Sequence, residues 1–341
     1  MGKAMSEYVD ELLASGSLEK ARFTELLKFR NLETTSYLFE RAARLRDQVH
    51  GNQITVLGRI MISNYCKNEC KMCGIRRENR FVQRFRLSIE QILSYCDIFY
   101  KKGIRNLLLE SGDDSYLTEE GVAEIIHAIK ENHSKFHIYL SLGEKKKTAF
   151  LHWRATGAEG YFISHGSAND QHFKKLFPSN MSPLLKKQSI WELKEIGCHI
   201  GGSLLIGTPY QTIDHVLEDI FFLKTMLPDL LSIGTFLPVP KSVLADQRSG
   251  NGEMALYIMA ILRLLLPGCH LFADPVIDCV FSDGRMTAFD AGADLLLVDV
   301  PDSTLVDRYG VYERKHRRLP LPADDLDSFL EKLLARGFVV A

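Results

Sequence analysis

From residue 54 onward the chain alternates short apolar runs with amphipathic stretches, and this alternation constrains its fold more than any other feature. Eight runs have the length and composition of strands: ITVLGRIMI (54–62), IRNLLLE (104–110), HIYLSL (137–142), GYFIS (160–164), HIGGSLLIG (199–207), LLSIGTF (230–236), HLFAD (270–274) and DLLLVDV (294–300). Between most of them the apolar residues recur at helical spacing, as in SIEQILSYCDIFYKKG, TEEGVAEIIHAIKEN and TIDHVLEDIFFLKTM. Strand–helix alternation requires parallel strands joined by right-handed crossovers. A doubly wound open sheet and a closed barrel both meet that requirement, and eight units over this length match the barrel. The expected fold class is therefore α/β, a TIM-type (β/α)8 barrel with an N-terminal helical extension and a C-terminal helix. Residues 1–50 read as N-terminal helices packed on the barrel, with Gly16 and Gly51 where helices stop. Residues 51–315 read as the barrel, and 316–341, containing DDLDSFLEKLLARGF, as a helical tail.

Composition narrows the function classes. The 42 Lys and Arg are balanced by 43 Asp and Glu, so no basic surplus points to a nucleic-acid partner. No apolar run reaches the roughly 18 residues of a membrane helix, so no membrane partner is expected. The start, MGKAMSEYVDELLASGSLEK, lacks the basic and apolar segments of a signal peptide, and a cytoplasmic protein is expected. The seven cysteines are then free thiols or metal ligands rather than disulfides. Cys96, Cys198, Cys269 and Cys279 are scattered and read as small buried core residues.

Cys66, Cys70 and Cys73 are different. They form a C-x3-C-x2-C pattern in SNYCKNECKMCGIRREN (63–79), directly after the first strand. In a (β/α)8 barrel that loop lies on the face that carries the chemistry. ESGDD (110–114), SLGE (141–144), SHGS (164–167), LIGTP (205–209), FLPVPK (236–241) and ADP (273–275) end other strands around the same opening. Three clustered thiolates can hold a soft metal or an iron–sulfur cluster. A structural zinc needs a fourth ligand, and the nearest downstream histidines, His127 and His133, fall on a predicted helix. A 4Fe–4S cube on three cysteines leaves one iron open for a small ligand. The readings are thus a three-cysteine cluster, a zinc enzyme or an iron–sulfur carrier, although a carrier has no need of eight strands with polar ends.

The triad after the first barrel strand resembles the signature of radical S-adenosylmethionine (SAM) enzymes. With RFRLSIEQIL, LLLESGDD, LSLGE, IGTPYQTIDHVLEDIFFLK, FLPVP and LRLLLPG, the chain is similar to the group of HydE, PylB and biotin synthase over residues 30–315. The resemblance implies a 4Fe–4S cluster on Cys66, Cys70 and Cys73, SAM on the open iron, and reductive cleavage to a 5′-deoxyadenosyl radical acting on a small substrate inside the barrel. A reductant such as flavodoxin or ferredoxin is implied as partner. HydE-like function implies maturation of the FeFe-hydrogenase H-cluster. The alternative is a PylB-like enzyme acting on an amino acid, a methylornithine synthase-type mutase.

The resemblance also implies residue roles. Ser111, Gly112 and Asp113 match the segment that holds the SAM amino group. Lys186 stands where an arginine usually faces the SAM carboxylate, keeping the charge but losing the bidentate fork. Leu205 and Ile206 match apolar residues near the adenine, and Met72 replaces an aromatic residue there. Ser164 and Gly166 replace an arginine and a glutamate near SAM. Toward the substrate, Tyr139 replaces a threonine, Asp274 and Pro275 replace a threonine pair, and Tyr309 and Tyr312 match aromatic positions. Asp113, Lys241 and Asp274 together would suit a free amino acid.

Overall fold

The structure is a computed structural model that describes residues 2–310 and 321–340. Helices α1 (Gly2–Ser15), α2 (Lys20–Lys28) and α3 (Leu32–His50) precede the first strand. Eight parallel strands follow: β1 (Gln53–Ser63), β2 (Asn106–Ser111), β3 (His137–Ser141), β4 (Ala158–Phe162), β5 (His199–Ile206), β6 (Leu230–Thr235), β7 (His270–Phe272) and β8 (Leu295–Asp299). Each pairs with the next, and β1 pairs with both β8 and β2, so the sheet closes. Closure decides for the barrel over the open sheet. The observed strands follow the sequence reading closely. The largest difference is β4, Ala158–Phe162, which lies two residues earlier than read, and β7 stops at Phe272 because Asp274 caps a 3-10 turn, Pro275–Cys279, through the Val276 amide at 2.9 Å.

The crossovers carry helices α4 (Ile89–Lys101), α5 (Glu119–Asn132), α6 (Lys147–Thr156), α7 (Asp170–Leu176), α8 (Pro183–Glu195), α9 (Ile213–Met226), α10 (Gly252–Leu265) and α11 (Gly284–Asp290). Their starts are locally encoded. Ser88 and Gln91 form a reciprocal capping box on α4, and Ser182 caps α8 with Pro183 at its first turn. Helix α10 is apolar apart from Glu253 and Arg263 and is buried along nearly its whole length, because α1 and α3 cover the side that faces away from the barrel. Short helix α12 (Ser303–Asp307) follows β8, and α13 (Leu326–Leu334) leads to β9 (Val339–Val340), which pairs with the start of β1. No helix among the described residues is long and apolar enough to cross a membrane. Tyr312 lies outside the described residues.

The barrel interior is layered. Leu57, Leu108, Tyr139, Leu230, Phe272, Leu295 and Leu297, with Phe162, form an apolar plug. Side chains alternate along a strand, so the residues two further on share the same face nearer the carboxyl ends. Those residues are Arg59, Glu110, Ser141, Ser232, Asp274 and Asp299, all polar. The plug closes one end and the polar layer opens toward the other. Of the four scattered cysteines, Cys96 and Cys269 are buried as expected, whereas Cys198 and Cys279 sit in connections at element ends and stay part-exposed.

On α7, at the carboxyl face, buried His172 is held by Ser167 Oγ at 3.1 Å and lies near the Pro209 carbonyl at 3.2 Å. Burial lowers its pKa, so the folded protein keeps it neutral while the unfolded chain protonates near pH 6.5. Its contribution is complete above that value and is lost as pH falls below it. The melting temperature should therefore drop more steeply from pH 7 to 5.5 in the wild type than in His172→Gln; equal slopes would contradict the assignment.

Candidate cluster and substrate site

The loop from residue 64 to 85 has almost no regular secondary structure, so its backbone must be satisfied from outside. Arg84 runs through it and donates to the carbonyls of Asn64, Ile75 (2.9 Å) and Arg76 (2.6 Å). Asn64 accepts from the Phe85 amide at 2.8 Å and donates to the carbonyls of Gln83 and Arg308. At the entrance, buried Asp114 accepts from Ser63 Oγ at 2.6 Å and from Arg86 at 2.7 and 2.9 Å. The Arg86 guanidinium also lies over the Tyr65 ring at 3.8 Å. Gly112 fixes the closest approach: a Cβ there would stand 2.3 Å from the Tyr65 carbonyl and 2.7 Å from the Cys66 Cβ. The loop is thereby pressed against the end of β2.

Cys66, Cys70 and Cys73 are all part-buried in this loop. Burial, then the neighbouring thiols Cys73 and Cys66, pushes Cys70 up to about 12. Burial is also the main cause that pushes Cys73 up to about 11. Bare Cys70 and Cys73 thus stay protonated, and a bound cation is what converts such thiols to thiolate ligands. Three thiol donors gathered in one loop are a soft donor set that suits iron or another thiophilic metal.

Beside Cys70 stands an apolar wall of Met72, Met181, Leu205, Phe236 and the stacked pair Phe173 and Phe177, whose centroids are 4.3 Å apart. Gly166 makes room for it. At φ +78° its Cβ would lie 2.5 Å from the Phe177 ring, so the glycine where the resemblance has a glutamate has a steric reason. Ser164 accepts from the Gly166 amide at 3.1 Å and shapes the same turn. Leu205 joins the wall, but Ile206, its neighbour on β5, points the other way into the outer core.

The charged residues take partners that the sequence does not reveal. Buried Asp113 is flanked by Lys67 at 3.1 Å, Lys145 at 3.0 Å and Asn68 at 3.2 Å, so its charge is already matched and it anchors the loop. Ser111 donates to the Gly112 carbonyl at 2.6 Å. Lys186 is buried, pairs with Glu144 at 2.8 Å and lies over the Phe177 ring at 5.7 Å, facing the wall beside the cysteines.

Below the triad lies the polar layer of the barrel. Arg59 donates to Asp299 at 2.8 and 3.0 Å and to Glu110 at 3.3 Å. Burial opposes its charge, but Asp299 and Glu110 outweigh burial and keep it protonated. Burial, then Asp299 and Asp274, raises the Glu110 pKa against the pull of Arg59. Ser232 donates to Asp274 at 2.5 Å. The Tyr309 hydroxyl is buried against the Met61 backbone, and its ring lies 5.7 Å from the Arg59 guanidinium. Of the expected substrate residues, Asp274 and Tyr309 thus share this layer. Tyr139 sits lower, in the plug, with its hydroxyl 3.5 Å from His199 Nδ1. Lys241 is exposed at the rim, its Nζ 3.4 Å from the Phe81 ring centroid, so it does not join Asp274. Sequence reasoning missed Arg59, Glu110, Asp299 and Glu144. The available signal was a charge inside an otherwise apolar strand, as in ITVLGRIMI and DLLLVDV.

No family model matches the chain. It is 29% identical over 303 residues to the [FeFe] hydrogenase maturase subunit HydE of Thermotoga maritima, covering 87% of this chain and 86% of that protein. It is 26% identical over 335 residues to the 3-methylornithine synthase of Methanosarcina acetivorans, covering 98% and 93%. The chain resembles the radical SAM enzymes of the HydE and methylornithine synthase group. That resemblance implies a 4Fe–4S cluster and SAM as cofactors. The crystal structure of methylornithine synthase (PylB) superposes with a TM-score of 0.86 at 24% identity, over 98% of this chain and 97% of that one, which speaks to the fold.

Gly112→Ala should force the loop off β2, at a cost of about 1–3 kcal/mol typical of overpacking. We expect a lower melting temperature together with reduced iron uptake on reconstitution. Full iron uptake at unchanged stability would show that the close approach is not needed.

Proposed function

We propose that Cys66, Cys70 and Cys73 ligate a 4Fe–4S cluster and that SAM binds its remaining iron beside the apolar wall. When bound, the cluster supplies the electron that cleaves SAM to a 5′-deoxyadenosyl radical. The chain's own residues do the rest. Met72, Leu205 and Phe177 offer an apolar surface for the adenosyl moiety and help exclude water. Lys186 offers a cation for the SAM carboxylate, with Glu144 orienting it. Ser111 and Gly112 border the same space, and Asp113 holds the loop through Lys67 and Lys145. Electrons come from a small reductant such as flavodoxin or ferredoxin.

The substrate we propose is a small molecule bearing a cationic amine, of the amino-acid class. The observation that carries this reading is the charge of the polar layer: one guanidinium, Arg59, among three carboxylates, Glu110, Asp274 and Asp299. An ammonium group entering there would be matched by the surplus of carboxylates over the one guanidinium, and the buried Tyr309 hydroxyl borders the same layer. A second reading, hydrogenase maturation, is favoured by the 29% identity to HydE. An anionic substrate would meet like charge in this layer, which weighs against that class.

Anaerobic, cluster-loaded protein with reductant and SAM should release 5′-deoxyadenosine faster when a basic amino acid is added. Asp274→Asn and Glu110→Gln should each raise the KM for that amine about tenfold or more, the loss expected for a charge-assisted contact. Stimulation by an iron–cysteine complex and by no amine would overturn this reading in favour of the second.

A further inference from the structure

At the opposite end of the barrel, far along the strands from the cysteine loop, three potential ligands converge. His50 is the last residue of α3, His270 the first of β7, and Asp294 immediately precedes β8. Their ligand atoms all lie within 4.8 Å of one another. His270 Nδ1 is 2.5 Å from Asp294 Oδ2, and His50 Nδ1 is 3.9 Å from the same oxygen. The two imidazole rings are 4.7 Å apart.

The surroundings fix how each group is disposed. Asp294 is buried, and its Oδ1 accepts from Arg263 Nη2 at 2.7 Å and from the Leu271 amide at 2.8 Å. Only Oδ2 is left to face the two histidines. Arg263 Nη1 donates to the carbonyls of Pro267 at 2.8 Å and Cys269 at 2.7 Å, which uses both of its hydrogens. Arg263 Nη1 also lies 3.2 Å from His50 Nε2. In the tautomer that carries its proton on Nε2, His50 donates to Pro267 O at 3.1 Å. Nδ1 then presents a bare lone pair toward Asp294 Oδ2, 3.9 Å away.

An imidazole that donates one nitrogen to a backbone carbonyl and aims the other at a carboxylate oxygen and a second imidazole is arranged as metal-binding histidines are. We infer that His50, His270 and Asp294 form a binding site for a borderline divalent cation such as zinc, with solvent completing the coordination. On binding, the proton between His270 and Asp294 is released and the cation takes its place. His270 is part-exposed at 38%, which gives an entry path and lets its ring turn to open the 2.5 Å contact. The neighbouring Arg263 opposes a second positive charge, so the site should be weaker than one without such a neighbour. Its effect would be to tie the end of α3 to the start of β7 and the residue before β8. The site shares no residue with the cysteine loop and does not rest on the proposed function.

The test uses zinc on the anaerobic, cluster-loaded protein, so that the triad is occupied. The expected result is one zinc per chain in addition to the iron, a zinc-dependent rise in melting temperature, and an X-ray absorption spectrum with nitrogen and oxygen ligands and no sulfur. His50→Ala and His270→Ala should each weaken zinc binding at least about tenfold while iron content is retained. His270 is exposed enough that its variant should fold, and iron content checks that it has. No bound zinc, sulfur in the zinc shell, or undiminished binding in the iron-loaded His270→Ala variant would each overturn the inference.

Discussion

The top face of this barrel depends on holding an irregular, half-buried loop rigid enough to keep three thiols in one arrangement. A helix or strand would satisfy its own backbone, but a loop that must turn around its cysteines cannot. The burden falls on side chains at its two ends: Arg84 and Asn64 fill the carbonyls and amides, and the Asp114–Arg86 pair holds the entrance. Gly112 then lets the loop close on β2 without a gap. Asp113 binds its own flanking lysines, so the loop's charges are settled before any ligand arrives.

A second constraint acts inside the barrel. Burying Arg59, Glu110 and Asp299 above an apolar plug carries a desolvation cost that only their close pairing offsets. Apolar side chains would have filled the space more stably, as they do one layer below. Polarity retained in the layer that opens toward the cysteines is what a substrate cavity requires, and the excess of carboxylates indicates the sign of the charge it receives.

The barrel was legible in the sequence because each strand is a continuous apolar run bounded by polar ends, and the eight-fold repetition left little freedom. The position of the cysteine loop followed from its place after the first strand. Partnerships were not legible, because charge pairing depends on which loops meet. Lys186 meets Glu144 from the β3–α6 connection, Asp113 meets Lys67 and Lys145, and Lys241 is drawn to Phe81 at the rim. Depth was partly readable: Tyr139 and Arg59 both belong to the inner face, but only the closed register puts the tyrosine in the plug and the arginine above it. Glu110 and Asp299 escaped notice because each lies near the carboxyl end of its strand, where a charge looks like the beginning of a loop.

The central claim is that three cysteines hold a cluster whose remaining iron accepts SAM. The most direct measurement is electron paramagnetic resonance of the reduced, reconstituted protein with and without SAM, alongside its iron content. The account predicts about four irons per chain, in line with a 4Fe–4S cluster, and a reduced-cluster signal that changes on adding SAM. A spectrum identical with and without SAM, or full iron content in Cys73→Ala, would contradict it.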